Sequence, residues 1–289
     1  MRICILMTCF NRKQKTLNCL KSLYNSLRLS STAHQCDIYL TDDNSVDGTS
    51  EDLKLLYPDI TIIKGNGALF WAGGMRVAFK KAQASGKSYD YYLPLNDDIE
   101  LFENAIEELF TDIEKINRKE YILIGSTVDK VTNNFTYGGR KLRNNYNIYS
   151  NIVIPNNIKP QLCDLGNANI MLIPSDVIKR IGFFSEKYTH GIADYDYTLR
   201  AKKNSIPTYV SSKSLAFCED DHGNSWRSSR HFSLKERVKF LNSVTGLSYK
   251  EYLSYIKEYF PLYFPRAWAQ LWLKTLFPFF WDKIKIKNK

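Results

Sequence analysis

Short apolar runs alternate with amphipathic segments over the first third of the chain. Residues 2–7, 37–40 and 60–63 are apolar runs of strand length, and polar residues follow each of them. Leucine and tyrosine recur at helical spacing over residues 13–29, between the first two runs. This alternation of strands and helices predicts an α/β fold, with a mostly parallel central sheet and helices on its faces.

The pattern continues with more interruptions after residue 90. Further strands are predicted at residues 91–95, 121–125, 162–173 and 210–218. The third of these is interrupted by Gly166-Asn167-Ala168-Asn169, and a short helix with Ser175 as its N-cap is predicted to follow it. We expect one domain over residues 1–226 and an extension over residues 227–289.

Two adjacent acids end the most informative of these strands. The apolar run at residues 91–95 leads directly into Asn96-Asp97-Asp98. Like charges side by side repel each other unless a cation or a hydrogen-bond donor lies between them. Hard divalent cations pair one or two carboxylates with substrate phosphates, and ligands of open α/β sheets bind beyond the carboxyl ends of the strands. The alternative is a polar turn in which Asp97 or Asp98 caps a helix at residues 103–115.

The net charge of +10 is concentrated in the C-terminal extension. Residues 227–289 contain 13 Lys and Arg against four Asp and Glu, so the first 226 residues are close to neutral. A basic segment on a neutral body indicates an anionic surface as partner rather than nucleic acid. Six cysteines without a CxxC pair indicate reduced thiols and a cytoplasmic location. No apolar stretch has the length of a membrane-spanning helix or a secretion signal.

The extension is also rich in aromatic residues. Between residues 249 and 281 there are 13 of them, three being Trp. An amphipathic stripe is formed by Tyr252, Tyr255, Ile256, Tyr259 and Phe260. Together with the terminal lysines, this stripe predicts a segment that lies on the inner face of the cell membrane without crossing it. The alternative is that the stripe packs on the rest of the chain, or on a second subunit in a homodimer.

Four segments in order resemble bacterial family 2 glycosyltransferases with the GT-A fold. Thr8-Cys9-Phe10-Asn11-Arg12 is similar to the opening loop of that family, and residues 41–49 look like its "DDGSxDGT" segment with Asn44 in place of Gly. Asn96-Asp97-Asp98 occupies the place of the DXD-type metal motif, although its first residue is not acidic. Residues 193–200 look like "EDxDLxLR", with Ala193 where Glu is common. The glycine-rich run at 65–76 looks closest to the rhamnosyl- or galactofuranosyltransferase-like branch.

The resemblance covers residues 1–226 and implies an inverting, metal-dependent glycosyltransferase. Such an enzyme moves a sugar from a nucleotide-sugar donor to a hydroxyl of a glycan acceptor, here a lipid-linked one, in surface polysaccharide biosynthesis. The implied donor-binding residues are Thr8, Phe10, Asp43, Trp71, Arg76, Asn96 and Asp97. The implied sugar and acceptor pocket contains Asn167, Asn169, His190 and Asp196. The implied ligands of Mn²⁺ or Mg²⁺ are Asp98 and His222.

Asp194 is the implied catalytic base. Inverting transfer needs a carboxylate that accepts the proton of the acceptor hydroxyl. At the start of a helix, the dipole is expected to keep Asp194 ionised. An ordinary N-cap is the structural alternative for this residue.

Two other functions remain open at the level of sequence. A sugar-1-phosphate nucleotidyltransferase has a related sheet, but the glycine-rich phosphate loop that it needs is absent after Met7. A non-catalytic scaffold that binds nucleotide sugars at a membrane is the second alternative. A scaffold of this kind would have lost catalytic turnover, and the acids kept at positions 97, 98 and 194 argue against such a loss.

Overall fold

The structure, a computed structural model, describes residues 1–31, 33–219 and 232–279. The strands are β1 (Arg2–Cys9), β2 (Gln35–Asp42), β3 (Thr61–Lys64), β4 (Tyr91–Pro94), β5 (Glu100–Leu101), β6 (Ile122–Val128), β7 (Gly139–Leu142), β8 (Ser150–Val153), β9 (Gln161–Cys163), β10 (Leu165–Gly166), β11 (Met171–Pro174) and β12 (Thr208–Phe217). The helices are α1 (Lys13–Leu29), α2 (Thr49–Leu56), α3 (Phe70–Ala84), α4 (Ala105–Ile116), α5 (Ser175–Ile181), α6 (Ala193–Lys203), α7 (Leu234–Asn242), α8 (Tyr249–Tyr259) and α9 (Phe264–Leu276).

Most strands belong to one central sheet with the order β3-β2-β1-β4-β11-β6-β12-β5. Strands β1 to β4 run parallel, as do β6 and β12, whereas β11 is antiparallel to both β4 and β6. Strand β9 pairs with β12, and a small second sheet has the order β10-β7-β8. The predicted α/β fold with a mostly parallel sheet is confirmed.

The sheet is buried on both faces, which explains why its strands are continuous apolar runs. In β1, Ile3 and Ile5 pack with residues of α1 and α4, whereas Cys4 and Leu6 pack with residues of α3, α5 and α6. Neighbouring side chains of a strand point to opposite faces, so both faces must be apolar. Each of these four side chains is at most 1% exposed.

Three local predictions differ from the structure. Residues 162–173 are not one interrupted strand but three short strands, in two sheets. The chain crosses closely there, because a Cβ on Gly166 would lie 2.5 Å from Cγ1 of Ile124. The Ser175 hydroxyl donates to the Tyr89 carbonyl and does not cap α5. Helix α4 has Asn104 at its N-cap, so neither Asp97 nor Asp98 caps it.

The helices α7, α8 and α9 form a third apolar cluster with the rest of the chain. Ile256, Phe260 and Tyr263 are almost fully buried, and they pack with Ala193 and Leu199 of α6. The stripe predicted to lie on a membrane is therefore packed against protein, as in the alternative. The aromatic spacing predicts an amphipathic helix correctly, but amphipathicity alone does not say which apolar partner the helix faces. Within the described residues, no helix combines the length and apolarity needed to span a membrane.

This packing can be tested without lipid. We expect Ile256→Ala to lower the free energy of unfolding by about 2–5 kcal/mol, because it leaves a cavity at a fully buried position. Leu262→Ala is the matched control, since Leu262 is 77% exposed, and it should change stability by less than about 0.5 kcal/mol. Urea unfolding followed by circular dichroism measures both. Equal stability of the two variants would contradict the burial of the stripe.

Candidate active site

The parallel register brings three polar strand ends to one edge of the sheet. Thr8 of β1 pairs with Thr41 of β2, and Leu6 of β1 pairs with Pro94 of β4. Asp43 follows β2 directly, and the Asn96-Asp97-Asp98 run follows β4 after Leu95. The predicted donor and metal residues from these three strands are therefore neighbours.

Asp43 is buried and holds the start of α3. Its Oδ1 accepts from the Gly67 amide at 2.8 Å, and its Oδ2 accepts from the amides of Leu69 at 2.9 Å and Phe70 at 3.1 Å. Gly65 is required beside it, because a Cβ there would lie 2.5 Å from Oδ1 of Asp43. The carboxylate thus fixes the glycine-rich loop against the sheet. Contact between Asp43 and a nucleoside stays a prediction.

The start of α3 also approaches β1 and carries a strained residue. A Cβ on Gly74 would overlap the Thr8 hydroxyl, so only glycine allows α3 to lie this close to the strand. Phe70 has a φ of 54°, a left-handed conformation that is unfavourable for an aromatic residue. The hydrogen bond from the backbone amide of Phe70 to Asp43 helps to hold that conformation. At the end of β1, Phe10 is 50% exposed.

Asn96 is locked on both sides. Its side-chain Oδ1 accepts from Nε1 of Trp71 at 2.8 Å. Its backbone amide donates to the backbone carbonyl of Asn169 at 3.0 Å. Trp71 packs with its other side on Phe184, with 5.1 Å between the ring centroids. These contacts tie the end of β4 to the segment before β11. The Asn169 side chain points to the Cys218 sulfur, 3.5 Å away.

Asp97 and Asp98 share one guanidinium. Nη1 of Arg12 lies 2.7 Å from Oδ2 of Asp98 and 3.6 Å from Oδ1 of Asp97. Asp97 is 5% exposed and also accepts from the Thr16 hydroxyl at 3.2 Å. Burial and the neighbouring charge of Asp98 raise the pKa of the Asp97 carboxyl to about 7, against the opposing effect of Arg12. The sequence places Arg12 in a motif but gives no signal that it pairs with acids 85 residues away.

The same acids have the chemistry of a hard-cation site. Oδ1 of Asp98 is buried and has no hydrogen-bond partner among the described residues, so this pair keeps an unused oxygen that a cation would satisfy. No group of three His, Cys, Asp or Glu side chains in residues 1–31, 33–219 and 232–279 is arranged to hold a metal. The remaining ligands would then be phosphate oxygens, which is usual for Mg²⁺. His222 lies outside the described residues.

Asp194 is buried near the start of α6. Its Oδ2 accepts from the Ala168 amide at 3.3 Å and from Nδ2 of Asn167 at 3.5 Å, and its Oδ1 accepts from the Tyr195 amide at 2.7 Å. The N-cap position belongs to Ile192, so Asp194 is not the cap of α6. Burial raises the pKa of the Asp194 carboxyl to about 7, although the amide donors lower it. Desolvation therefore outweighs the helix dipole, which was expected to keep the group ionised.

The segment 167–169 joins the two acidic centres. Asn167 and Ala168 donate to Asp194, and the carbonyl of Asn169 accepts from Asn96, the neighbour of Asp97. Three residues of extended chain span about 10 Å, so both centres lie at one site. The interruption that the sequence places at 166–169 is the structural link between them.

A second loop, residues 185–192, closes this site from the side of α3. Arg76 donates to the carbonyls of Ser185 at 2.8 Å and Tyr188 at 2.9 Å, so its guanidinium clamps the loop instead of facing outward. A phosphate contact of Arg76 stays a prediction. The His190 ring lies 6.4 Å from the Phe70 ring, and its Nδ1 is buried without a partner. Burial, with the charge of Arg12, lowers the pKa of His190.

The extension supports the same elements from outside. The carboxylate of Glu251 in α8 accepts from the Thr189 amide at 3.0 Å. The Tyr259 hydroxyl donates to Oδ1 of Asp196 at 2.7 Å. Asp196 is thus turned toward α8, and a role for it in the sugar pocket stays a prediction. Sequence reasoning missed Glu251 and Tyr259, because the helix that carries them was assigned to a membrane surface.

Comparisons with known proteins agree with this geometry. A sequence model of glycosyl transferase family 2 matches residues 4–177. A search of curated proteins finds no match. Among solved structures, S. aureus TarS 1–349 is similar at a TM-score of 0.52 and 14% identity, over 84% of this chain and 66% of that chain. The mannosyltransferase PcManGT from Pyrobaculum calidifontis, in complex with GDP-Man and Mn²⁺, is similar at 0.55 and 10% identity, over 84% and 64%.

These structural neighbours establish the fold. The chain spans just under two thirds of the length of each. The shared architecture is the α/β fold with a mostly parallel sheet that the motifs of the GT-A type imply. The family match covers more than half of the sequence and includes the opening loop, the residue 41–49 segment and the paired acids. The chain belongs to glycosyl transferase family 2.

Proposed function

We propose that this enzyme moves a sugar from a nucleoside-diphosphate donor to a hydroxyl of an acceptor, with inversion at the sugar. The observation that carries the proposal is the pairing of two unlike acidic centres at one site. Asp97 and Asp98 form a charged pair beside a cation, whereas Asp194 is a single buried carboxylate with a raised pKa. A leaving diphosphate needs positive charge, and an attacking hydroxyl needs a base.

A nucleotide sugar is the donor class that we infer. TarS has been solved with UDP and with UDP-GlcNAc, and PcManGT with GDP-Man. At 10–14% identity these proteins share the fold alone, so they support the class of donor and not its sugar or base. We also propose that the enzyme belongs to the rhamnosyl- or galactofuranosyltransferase-like branch. The glycine-rich run at residues 65–76 supports this part of the proposal.

We further propose that Asp98, assisted by Asp97, would hold Mn²⁺ or Mg²⁺. The unpartnered buried oxygen of Asp98 and the raised pKa of Asp97 support this, because a cation would relieve both. A bound divalent cation would neutralise charge on the departing diphosphate. A contribution of His222 belongs to the proposal as well.

Asp194 is the proposed base. A carboxyl with a pKa of about 7 is half ionised near neutral pH and accepts a proton better than an ordinary carboxylate does. Its bonds to Asn167, Ala168 and Tyr195 fix the orientation of both oxygens. His190 lies in the adjoining loop, where its buried ring nitrogen suits a hydrogen bond to the acceptor.

We propose a glycan acceptor, carried on a lipid, in surface polysaccharide biosynthesis. The support from this chain is an apolar surface at the end of the extension, where Trp268, Leu276, Phe277 and Phe279 are 42–53% exposed. Basic residues dominate the sequence that follows, from residue 283 onward. Exposed Trp and Phe beside lysines suit the boundary of an anionic leaflet. This surface replaces the buried stripe of α8 as the proposed membrane contact.

Asp98→Asn tests the metal role. We expect turnover to fall by orders of magnitude with the fold intact, because the amide binds a divalent cation poorly. The measurement is nucleotide release from a panel of UDP- and GDP-sugars at several Mn²⁺ concentrations. Asp176→Asn is the control, since Asp176 is exposed and pairs with Lys179 on the surface of α5. If Asp98→Asn keeps near-normal turnover at low Mn²⁺, Asp98 does not bind the metal and has only a structural role in the turn.

Asp194→Asn tests the base. Catalysis should fall about 10²-fold or more while donor binding is kept, because the amide retains the shape and loses the basicity. In the wild type, kcat at saturating Mn²⁺ and donor should rise with pH through about 7, since only ionised Asp194 accepts a proton. Asp164→Asn is the control: this carboxylate is similarly buried but pairs with Lys141 and Lys202. A flat pH profile would exclude Asp194 as the base.

A flotation assay tests the membrane surface. The full chain should float with vesicles that contain anionic phosphatidylglycerol and less with neutral phosphatidylcholine. The double variant Trp268→Glu, Phe277→Glu should lose this binding, whereas Leu55→Glu, Val131→Glu should keep it. The control residues are 80% and 92% exposed but lie outside the extension. Unchanged flotation of the first variant would contradict the proposed contact.

A further inference from the structure

Arg12 already occupies the place where a cation is needed. Its Nη1 donates to Oδ2 of Asp98 at 2.7 Å and lies 3.6 Å from Asp97. A guanidinium and a divalent cation at one carboxylate repel each other, because both are positive. The second oxygen of Asp98 is solvent-inaccessible with Arg12 in this position. A divalent cation would therefore bind this acid pair more tightly if Arg12 moved away from it.

The backbone of Arg12 is anchored, and its side chain is half-exposed. Its carbonyl accepts from the amide of Thr16 at 2.9 Å and from the Thr16 hydroxyl at 3.0 Å, which anchors the first turn of α1. The side chain itself is 45% exposed, whereas the side chain of Asp98 is 12% exposed. The guanidinium therefore lies on the solvent side of the acid pair, where a ligand can reach it.

A second partner lies within electrostatic reach. The charge of Arg12 contributes to the lowered pKa of His190, which belongs to the loop on the other side of the site. Arg12 therefore lies within electrostatic range of that loop as well as in contact with the acid pair. A diphosphate that reached the acids would enter this space, and arginine binds phosphate oxygens in a bidentate manner.

We propose that Arg12 is a nucleoside-diphosphate-binding residue that serves as the counter-ion of Asp97 and Asp98 in the empty site. When a divalent cation takes the acids, the guanidinium transfers to the diphosphate. The guanidinium of Arg12 thus has two roles. It neutralises Asp97 and Asp98 before the ligands bind, and it binds the diphosphate leaving group afterwards. This inference rests on the proposed function, because it needs a metal and a diphosphate at the same site.

The exchange predicts opposite effects on two ligands. Arg12→Gln should bind Mn²⁺ alone about tenfold more tightly than the wild type, because its competitor at the acids is removed. The same variant should bind UDP or GDP in the presence of saturating Mn²⁺ about tenfold more weakly, because the diphosphate loses a charged partner. Arg12→Lys should lie between the two for both ligands, since it keeps the charge without the planar fork.

Mn²⁺ binding is followed by the loss of the free-ion signal in electron paramagnetic resonance, and nucleotide binding by isothermal titration calorimetry. Arg28→Gln, at the other end of α1, is the control and should change neither affinity. The double variant Arg12→Gln, Asp98→Asn should lose the gained Mn²⁺ affinity. Thermal melting of each variant shows that it is folded.

Mn²⁺ affinity that is unchanged or weaker in Arg12→Gln overturns the inference, and so does unchanged UDP and GDP affinity. Opposite shifts in a protein that releases nucleotide from no donor would support Arg12 while refuting the proposed transfer. If the wild type turns over a donor but Arg12→Gln has unchanged affinities for Mn²⁺, UDP and GDP, the proposed transfer stands and the proposed role of Arg12 is refuted. The two proposals therefore fail separately.

Discussion

Two adjacent carboxylates just after β4, of which Asp97 is buried, are the constraint that organises this edge of the sheet. Burial disfavours the charged form of Asp97, and the neighbouring charge of Asp98 adds to that cost. Positive charge must therefore lie close by at every stage. In the structure Arg12 supplies that charge from the loop after β1. The parallel register of β1 and β4 makes this possible, because both strands end at the same edge.

The second acidic centre is stabilised in a different way. Asp194 accepts from amide donors, and none of the described residues pairs a cation with it, so burial raises its pKa. The pKa values of Asp97 and Asp194 are both raised to about 7, but Asp97 shares a guanidinium with Asp98, whereas Asp194 is held by neutral amides. The segment at 167–169 keeps these two environments adjacent but separate. The different surroundings of these acids therefore come from their packing: Asp97 and Asp98 lie beside Arg12, and Asp194 lies among amide donors.

The C-terminal helices contribute to this arrangement although they lie outside the sheet. Glu251 binds the backbone of the loop that carries His190, and Tyr259 binds Asp196 two residues after Asp194. The apolar side of α8 covers α6 at Ala193 and Leu199. Hence the elements that carry His190 and Asp194 are both packed against helices that come later in the sequence.

The sequence by itself determined the order of strands and helices, the paired acids at a strand end and the family. Those features are local: apolar periodicity sets the elements, and motif spacing is read along the chain. Tertiary structure alone decided that Arg12 meets Asp97 and Asp98, that Asp43 binds the start of α3, and that Asp194 is desolvated. It also decided that the α8 stripe faces protein. The physical reason is that charge pairing and desolvation depend on distance through space, and residues far apart in the chain set both.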